Sequence, residues 1–176
     1  MKKRLILILV CALLTLAADQ ATKIWARHSL KNQPPVSLVD GYLDLEYHEN
    51  PGFAFGMGRN LPWRRAIYVG LAIIALFVMW RIIRNVQKRQ RMADVAFGLL
   101  AGGAIGNAVD RIYIGRVVDF ILAHWHRKVH WPTFNIADAA LVVGVGFLLI
   151  VLGHNPDTKR SNPAKNSKSK KGRKYR

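Results

Sequence analysis

Asp19, Asp110, Asp119 and Asp138 are four of only ten acidic residues in a chain of 176 that holds 27 Lys and Arg. Each of three has polar company at close spacing: Lys23 follows Asp19 by four, Asn107 and Arg111 flank Asp110, and Asn135 precedes Asp138 by three. On a helix, Asp19 and Lys23 share one face with the acid N-terminal to the base, and Asn107 shares a face with Arg111. A metal centre would draw on His or Cys. His124, His126 and His130 lie between and beside Trp125 and Trp131 without a helical ligand spacing, so they are expected at an interface, not on a metal. No Ser or Cys stands out beside a His as a nucleophile. Carboxylates remain. Two Asp held close in a low-dielectric site cannot both ionise, so they share a proton and divide the work. One takes a proton from water while the other, protonated, polarises a carbonyl, which is the chemistry of peptide hydrolysis. A proton or ion relay through the same aspartates, as in a small coupled transporter, is the other reading that spacing leaves open.

The elements that must carry these residues are apolar. Hydrophobic residues make up 51% of the chain although its formal charge is +17. The charge is segregated: Lys2, Lys3 and Arg4 open the chain, Arg81, Arg84, Lys88, Arg89 and Arg91 interrupt it, and nine more Lys and Arg fill the tail. A disordered basic chain is poor in Leu, Ile, Val and Phe, and a nucleic-acid-binding domain spreads its cations over one face. Neither fits, and no nucleic-acid partner is expected. About 20 apolar residues span a bilayer core, and four stretches qualify, about 5–25, 66–83, 95–114 and 136–153. The Lys/Arg bias puts the N-terminus, the loop between spans two and three, and the tail on the cytoplasmic side. The fold class expected is an all-α membrane protein of four transmembrane helices in one domain, residues 1–153. A basic disordered tail, 154–176, follows it.

Two other readings of the N-terminus fail. Cleavage of the first span as a secretory signal would leave three spans and put the basic tail outside. Cys11 follows Val10, not the small residue that precedes a lipidated cysteine, so it is a buried apolar side chain. A single Cys excludes an intrachain disulfide framework.

With four spans, the polar groups fall at one depth. Asp19, Gln20 and Lys23 end span one on the outer side, Asn107, Asp110 and Arg111 end span three, and Asn135 and Asp138 open span four. Ionisable groups inside spans cost about 2.5–3.5 kcal/mol each on insertion scales and mark function by default. Gly98, Gly102 and Gly106 form successive small-xxx-small steps that admit a close neighbouring backbone. The alternation at 42–47 in the outer segment, about 26–65, suggests a short β element. The aromatic region 51–57 after it suggests a flap.

At these residues the chain resembles the lipoprotein signal peptidases, or signal peptidase II, the bacterial membrane aspartyl proteases. The resemblance lies in five boxes in order: Asp19-Gln20-Ala21-Thr22-Lys23, Asn50-Pro51-Gly52-Phe53-Ala54-Phe55-Gly56, the run from Gly102 to Arg111, Val117-Val118-Asp119-Phe120, and Phe134-Asn135-Ile136-Ala137-Asp138. Phe53 departs from the small residue common in the second box. The resemblance implies that Asp119 and Asp138 are the catalytic dyad, and that Asn50, Gly52, Asn107, Arg111 and Asn135 shape the substrate pocket. Asp19, Lys23 and Asp110 match positions of structural support. It further implies a diacylglyceryl-prolipoprotein substrate cut just before its lipidated cysteine, sensitivity to the cyclic peptide globomycin, and no metal or organic cofactor.

Overall fold

The computed structural model describes residues 2–51, 63–84 and 90–153. Four helices and four strands follow in the order α1 (Lys2–Ser29), β1 (Val36–Val39), β2 (Leu43–Asn50), α2 (Arg64–Arg84), α3 (Gln90–Tyr113), β3 (Val117–Trp125), β4 (Val129–His130) and α4 (Ile136–Gly153). Three of the helices, α1, α3 and α4, are long and apolar enough to cross a membrane, and α2 carries a shorter apolar stretch, Ala66–Ile82. At 28 residues, α1 is about 42 Å long at 1.5 Å per residue, more than a hydrocarbon core of about 30 Å.

The helices are built inside out relative to a soluble bundle. On α1 the buried positions are Thr15, Asp19, Lys23 and Ala26, a polar stripe at helical spacing, while Leu5, Leu9, Leu13 and Leu14 face outward. The same spacing buries Ala137, Ala140, Gly144, Leu148 and Val151 on α4. Between lipid-facing helices there is no hydrophobic drive to associate, so small residues and polar contacts hold the bundle. Helix α3 is the axis of this packing, against α1 on one side and α4 on the other. A Cβ added at Gly98 would collide with Cys11, and one at Gly102 would lie 2.6 Å from the Ala12 carbonyl oxygen. At Gly106 it would lie 2.5 Å from Asp19 Oδ2. The three glycines are therefore the groove into which α1 fits.

The sheet is more than the short element expected. Its four strands run antiparallel in the order β1-β2-β3-β4, and β3 covers Val117–Trp125, for which no strand is expected from sequence. The start of β3, Val117 to Phe120, is buried throughout, so it lacks the period-2 alternation that exposes a strand to inspection. Its partner β2 lies some 70 residues away, pairing Asp119 with His48 and Val118 with Glu49. A cluster of Ala26, Leu30, Val118 and Phe120 fastens the sheet to the end of α1. Phe134 runs beside β3, accepting from the Phe120 and Ile121 amides and donating to the Ile121 carbonyl. That strap delivers the chain to the start of α4 alongside Asp119.

Candidate active site

The polar stripe of α1 ends in a buried ion cluster. Lys23 Nζ lies 2.8 Å from Asp19 Oδ2 and 3.2 Å from Asp110 Oδ2, and donates to Asn107 Oδ1 at 2.9 Å. The i, i+4 pair thus forms, but it also reaches across to α3. Each carboxylate has a second duty. Asp19 Oδ1 accepts from the Ala137 amide on α4 at 2.9 Å, and Asp110 Oδ2 accepts from the Val118 amide on β3 at 3.0 Å. Three helices and the sheet are tied to one ammonium, and the three charged side chains are almost fully buried.

Beside this cluster Asn135 joins the other two carboxylates. Its side chain caps α4, Oδ1 accepting from the Asp138 amide at 2.9 Å, while the Asn135 amide donates back to Asp138 Oδ2 at 3.3 Å. This is a reciprocal capping box in which Asn and Asp replace the usual Ser/Thr and Glu. The Asn135 Nδ2 group, on the other side, donates to Asp119 Oδ1 at 2.7 Å and to the Val118 carbonyl at 3.2 Å. Asp119 Oδ2 accepts from Asn50 Nδ2 at 3.2 Å, and Asp138 Oδ1 accepts from Asn107 Nδ2 at 2.8 Å. Asn107 closes the circuit, since its Oδ1 takes the Lys23 bond and a 3.2 Å bond from Asn135 Nδ2.

Asp119 and Asp138 open into one cleft of about 330 Å³, with Asn50, Asn107 and Arg111 on its polar side. Trp131, Phe134, Leu141 and Val142 supply its apolar wall. Burial pushes the Asp119 carboxyl up, and the neighbouring Asp138 charge pushes it further, to about 7, against the opposing bonds from Asn50 and Asn135. A carboxyl so placed holds its proton near neutrality, as the acid of an acid–base pair must. Arg111 Nη1 donates to the Asn107 carbonyl at 3.1 Å. Asn50, Asn107, Arg111, Asn135, Asp119 and Asp138 therefore meet in one place. Gly52, with Phe53 and the expected flap, lies outside the described residues, as does the tail 154–176. Among the described residues, no three of His, Cys, Asp and Glu converge as a metal would require.

The sequence model of the family described as Signal peptidase (SPase) II matches residues 11–153. The chain belongs to the signal peptidase II family. It is similar to the lipoprotein signal peptidase of Symbiobacterium thermophilum, at 38% identity over 82% of this chain and 92% of that one. The lipoprotein signal peptidase of Syntrophotalea carbinolica is 38% identical over 82% of this chain and 89% of its own. Among solved structures, a bacterial membrane enzyme determined by the in meso method superposes with a TM-score of 0.70 at 30% identity, covering 84% of this chain and 93% of that one. A second such enzyme gives a TM-score of 0.66 at 26% identity, with 96% and 94% covered. As a signal peptidase II the chain is an aspartic peptidase, a hydrolase, and this decides against the transporter that spacing had left open. The family and the apolar helices together make it a multi-pass membrane protein.

Three features of this signal peptidase II were not found from sequence. His124, expected at an interface, is buried with Nε2 3.1 Å from Asp44 Oδ2. Asp44 sits on β2 and is also approached by Arg127 at 3.4 Å, a pairing visible only once β2 and β3 are set side by side. His126 and His130 are exposed. At the end of the bundle away from the sheet, Arg4 makes a bidentate bond to buried Asp94, with Nη2 to Oδ1 at 2.8 Å and Nε to Oδ2 at 3.1 Å. In the sequence Arg4 is marked only by its place in the basic cluster Lys2, Lys3, Arg4. Tyr68 of α2 lies under Arg111, with the ring centroid 4.9 Å from Cζ. One aromatic among the three of an apolar run (Tyr68, Phe77, Trp80) carries no periodic signal that could reveal it.

Proposed function

We propose that this signal peptidase II removes the signal peptide from diacylglyceryl-modified prolipoproteins, cutting just before the lipidated cysteine, with Asp119 and Asp138 as its catalytic dyad. The observation that carries the reading is that both carboxylates line one cleft and both are held by Asn135, one through its side-chain amide and the other through its backbone amide. Asp138 takes a proton from a water as that water attacks the scissile carbonyl, which Asp119, protonated, polarises. The proton then passes to the leaving amine as the tetrahedral intermediate collapses. Asn50, Gly52, Asn107, Arg111 and Asn135 shape the substrate pocket, and Asp19, Lys23 and Asp110 hold the elements that carry it. No metal or organic cofactor takes part.

The membrane arrangement belongs to the same proposal. Four helices cross the bacterial inner membrane with both termini in the cytoplasm, and the sheet and cleft stand at the periplasmic face. At that depth the substrate's acyl chains remain in lipid while its scissile bond meets water. The apolar wall of the cleft, ending on outward-facing Val142, suits a substrate arriving sideways from the bilayer. Globomycin is expected to occupy the same cleft and block it.

The test is a gel-shift assay of purified enzyme on a lipidated prolipoprotein. Wild type cleaves it, while Asp119→Asn and Asp138→Asn both lose turnover with folding intact, because one carboxylate cannot serve as base and acid at once. Retained cleavage in either variant refutes the dyad.

A further inference from the structure

A guanidinium beside two carboxylates is drawn onto them, and an arginine that collapses in this way offers nothing to a substrate. Arg111 lines the same cleft as Asp119 and Asp138, so something must hold it off. One restraint comes from its own helix, the 3.1 Å bond from Nη1 to the Asn107 carbonyl. The second comes from α2. Among the described residues Tyr68 is the only buried side chain of that helix, while Leu71, Ile73, Ile74 and Phe77 turn outward. Its ring faces the guanidinium with the centroid 4.9 Å from Cζ, inside the range of about 6 Å where a cation–π attraction operates. A cation–π contact is made to the positive charge and does not require an N–H donor to be spent on a carboxylate. A carboxylate would occupy two such donors.

We propose that Tyr68 is a positioning residue of this peptidase: its ring holds the Arg111 guanidinium away from Asp119 and Asp138 and keeps its N–H donors directed into the cleft toward a substrate carbonyl. This rests on the reading of the cleft as the active site. It also assigns α2 a part in catalysis, although no residue of that helix lies in any of the five sequence boxes.

The experiment alters the face of the ring without altering its shape. Full-length enzyme is prepared with Tyr68→Phe, with phenylalanine bearing one, two or three ring fluorines at position 68, and with Tyr68→Leu. Each is assayed on the lipidated prolipoprotein, with thermal unfolding measured in parallel. Tyr68→Phe is expected to stay within about threefold of wild type, since the aromatic face remains. Successive fluorination weakens that face and lowers kcat/KM stepwise, to about tenfold in all, with unfolding temperature unchanged. Tyr68→Leu loses about ten- to thirtyfold. The loss falls chiefly in KM, because the guanidinium contacts the carbonyl in ground and transition states alike. A flat fluorine series overturns the proposal, as does a Tyr68→Leu enzyme with wild-type kinetics. Asp138→Asn in the same assay separates the two levels. If it cleaves, the active-site reading falls and this inference with it; if it is inert while the fluorine series is flat, only the role of Tyr68 falls.

Discussion

Replacing Lys23 by Met removes one ammonium and leaves two carboxylates buried without their cation. Lys23 and Asp19 are 1% and 0% exposed and Asp110 only 3%, so solvent does not screen these charges as it screens a surface pair. At separations of 2.8 and 3.2 Å and an effective dielectric of about 20, each attraction is worth about 5–6 kcal/mol. The cost of desolvating the ammonium, several kcal/mol, offsets much of their sum. The net loss expected for Lys23→Met is about 3–5 kcal/mol, the range found when one partner of a buried ion pair is removed. The assay is reversible unfolding in detergent micelles by denaturant titration, read by tryptophan fluorescence. A second variant isolates the cause. In the triple variant Asp19→Asn, Lys23→Met, Asp110→Asn no charge is stranded, and each Asn oxygen still accepts from the Ala137 or Val118 amide. It should therefore be more stable than Lys23→Met alone. A loss below about 1 kcal/mol for the single change, or a triple variant less stable than the single, refutes the reasoning.

The dyad and the bundle carry the other expected outcomes. Asp119 is raised from 3.8 to about 7, so its protonated form is favoured in the fold. Its contribution to stability is full below the unfolded value and is lost as pH rises through about 7. The kcat/KM profile should fall across the same range as the dyad loses its shared proton. Asn50→Ala removes a donor that favours the ionised form and should move that limb to higher pH; a limb that stays or moves lower contradicts the assignment. In the bundle, Gly102→Val places a side chain 2.6 Å from the Ala12 carbonyl oxygen and from Thr15 Cβ, and should cost about 1–3 kcal/mol. Gly146→Ala, whose new Cβ meets nothing within 4 Å beyond its own helix among the described residues, should be neutral to stabilising by up to about 1 kcal/mol in the same unfolding assay.

Short-range features were the legible ones. The apolar runs, the Asp19–Lys23 pairing and the glycine steps all lie within one helix, and helical periodicity makes each a local property of the chain. They placed the helices to within a few residues, and the 42–47 alternation revealed β2. The five boxes pointed to the residues that meet in the cleft. What could not be read locally were contacts between segments far apart in the chain. Asp94 looks like an isolated acid in a basic stretch until Arg4, 90 residues away, folds against it. Asp44 and His124 become partners only through the pairing of β2 with β3.

The sequence by itself determined which residues are costly in a membrane and which helical faces bear them, because period and hydropathy are written into neighbouring positions. Only the tertiary structure decided that Asp119 rides on a buried strand, that Asn135 holds it together with Asp138, and that one lysine ties three helices to the sheet. Each of those bonds joins elements whose relative placement no local pattern records. Buried polar groups demand partners, and the partners became identifiable only when the chain had closed around them.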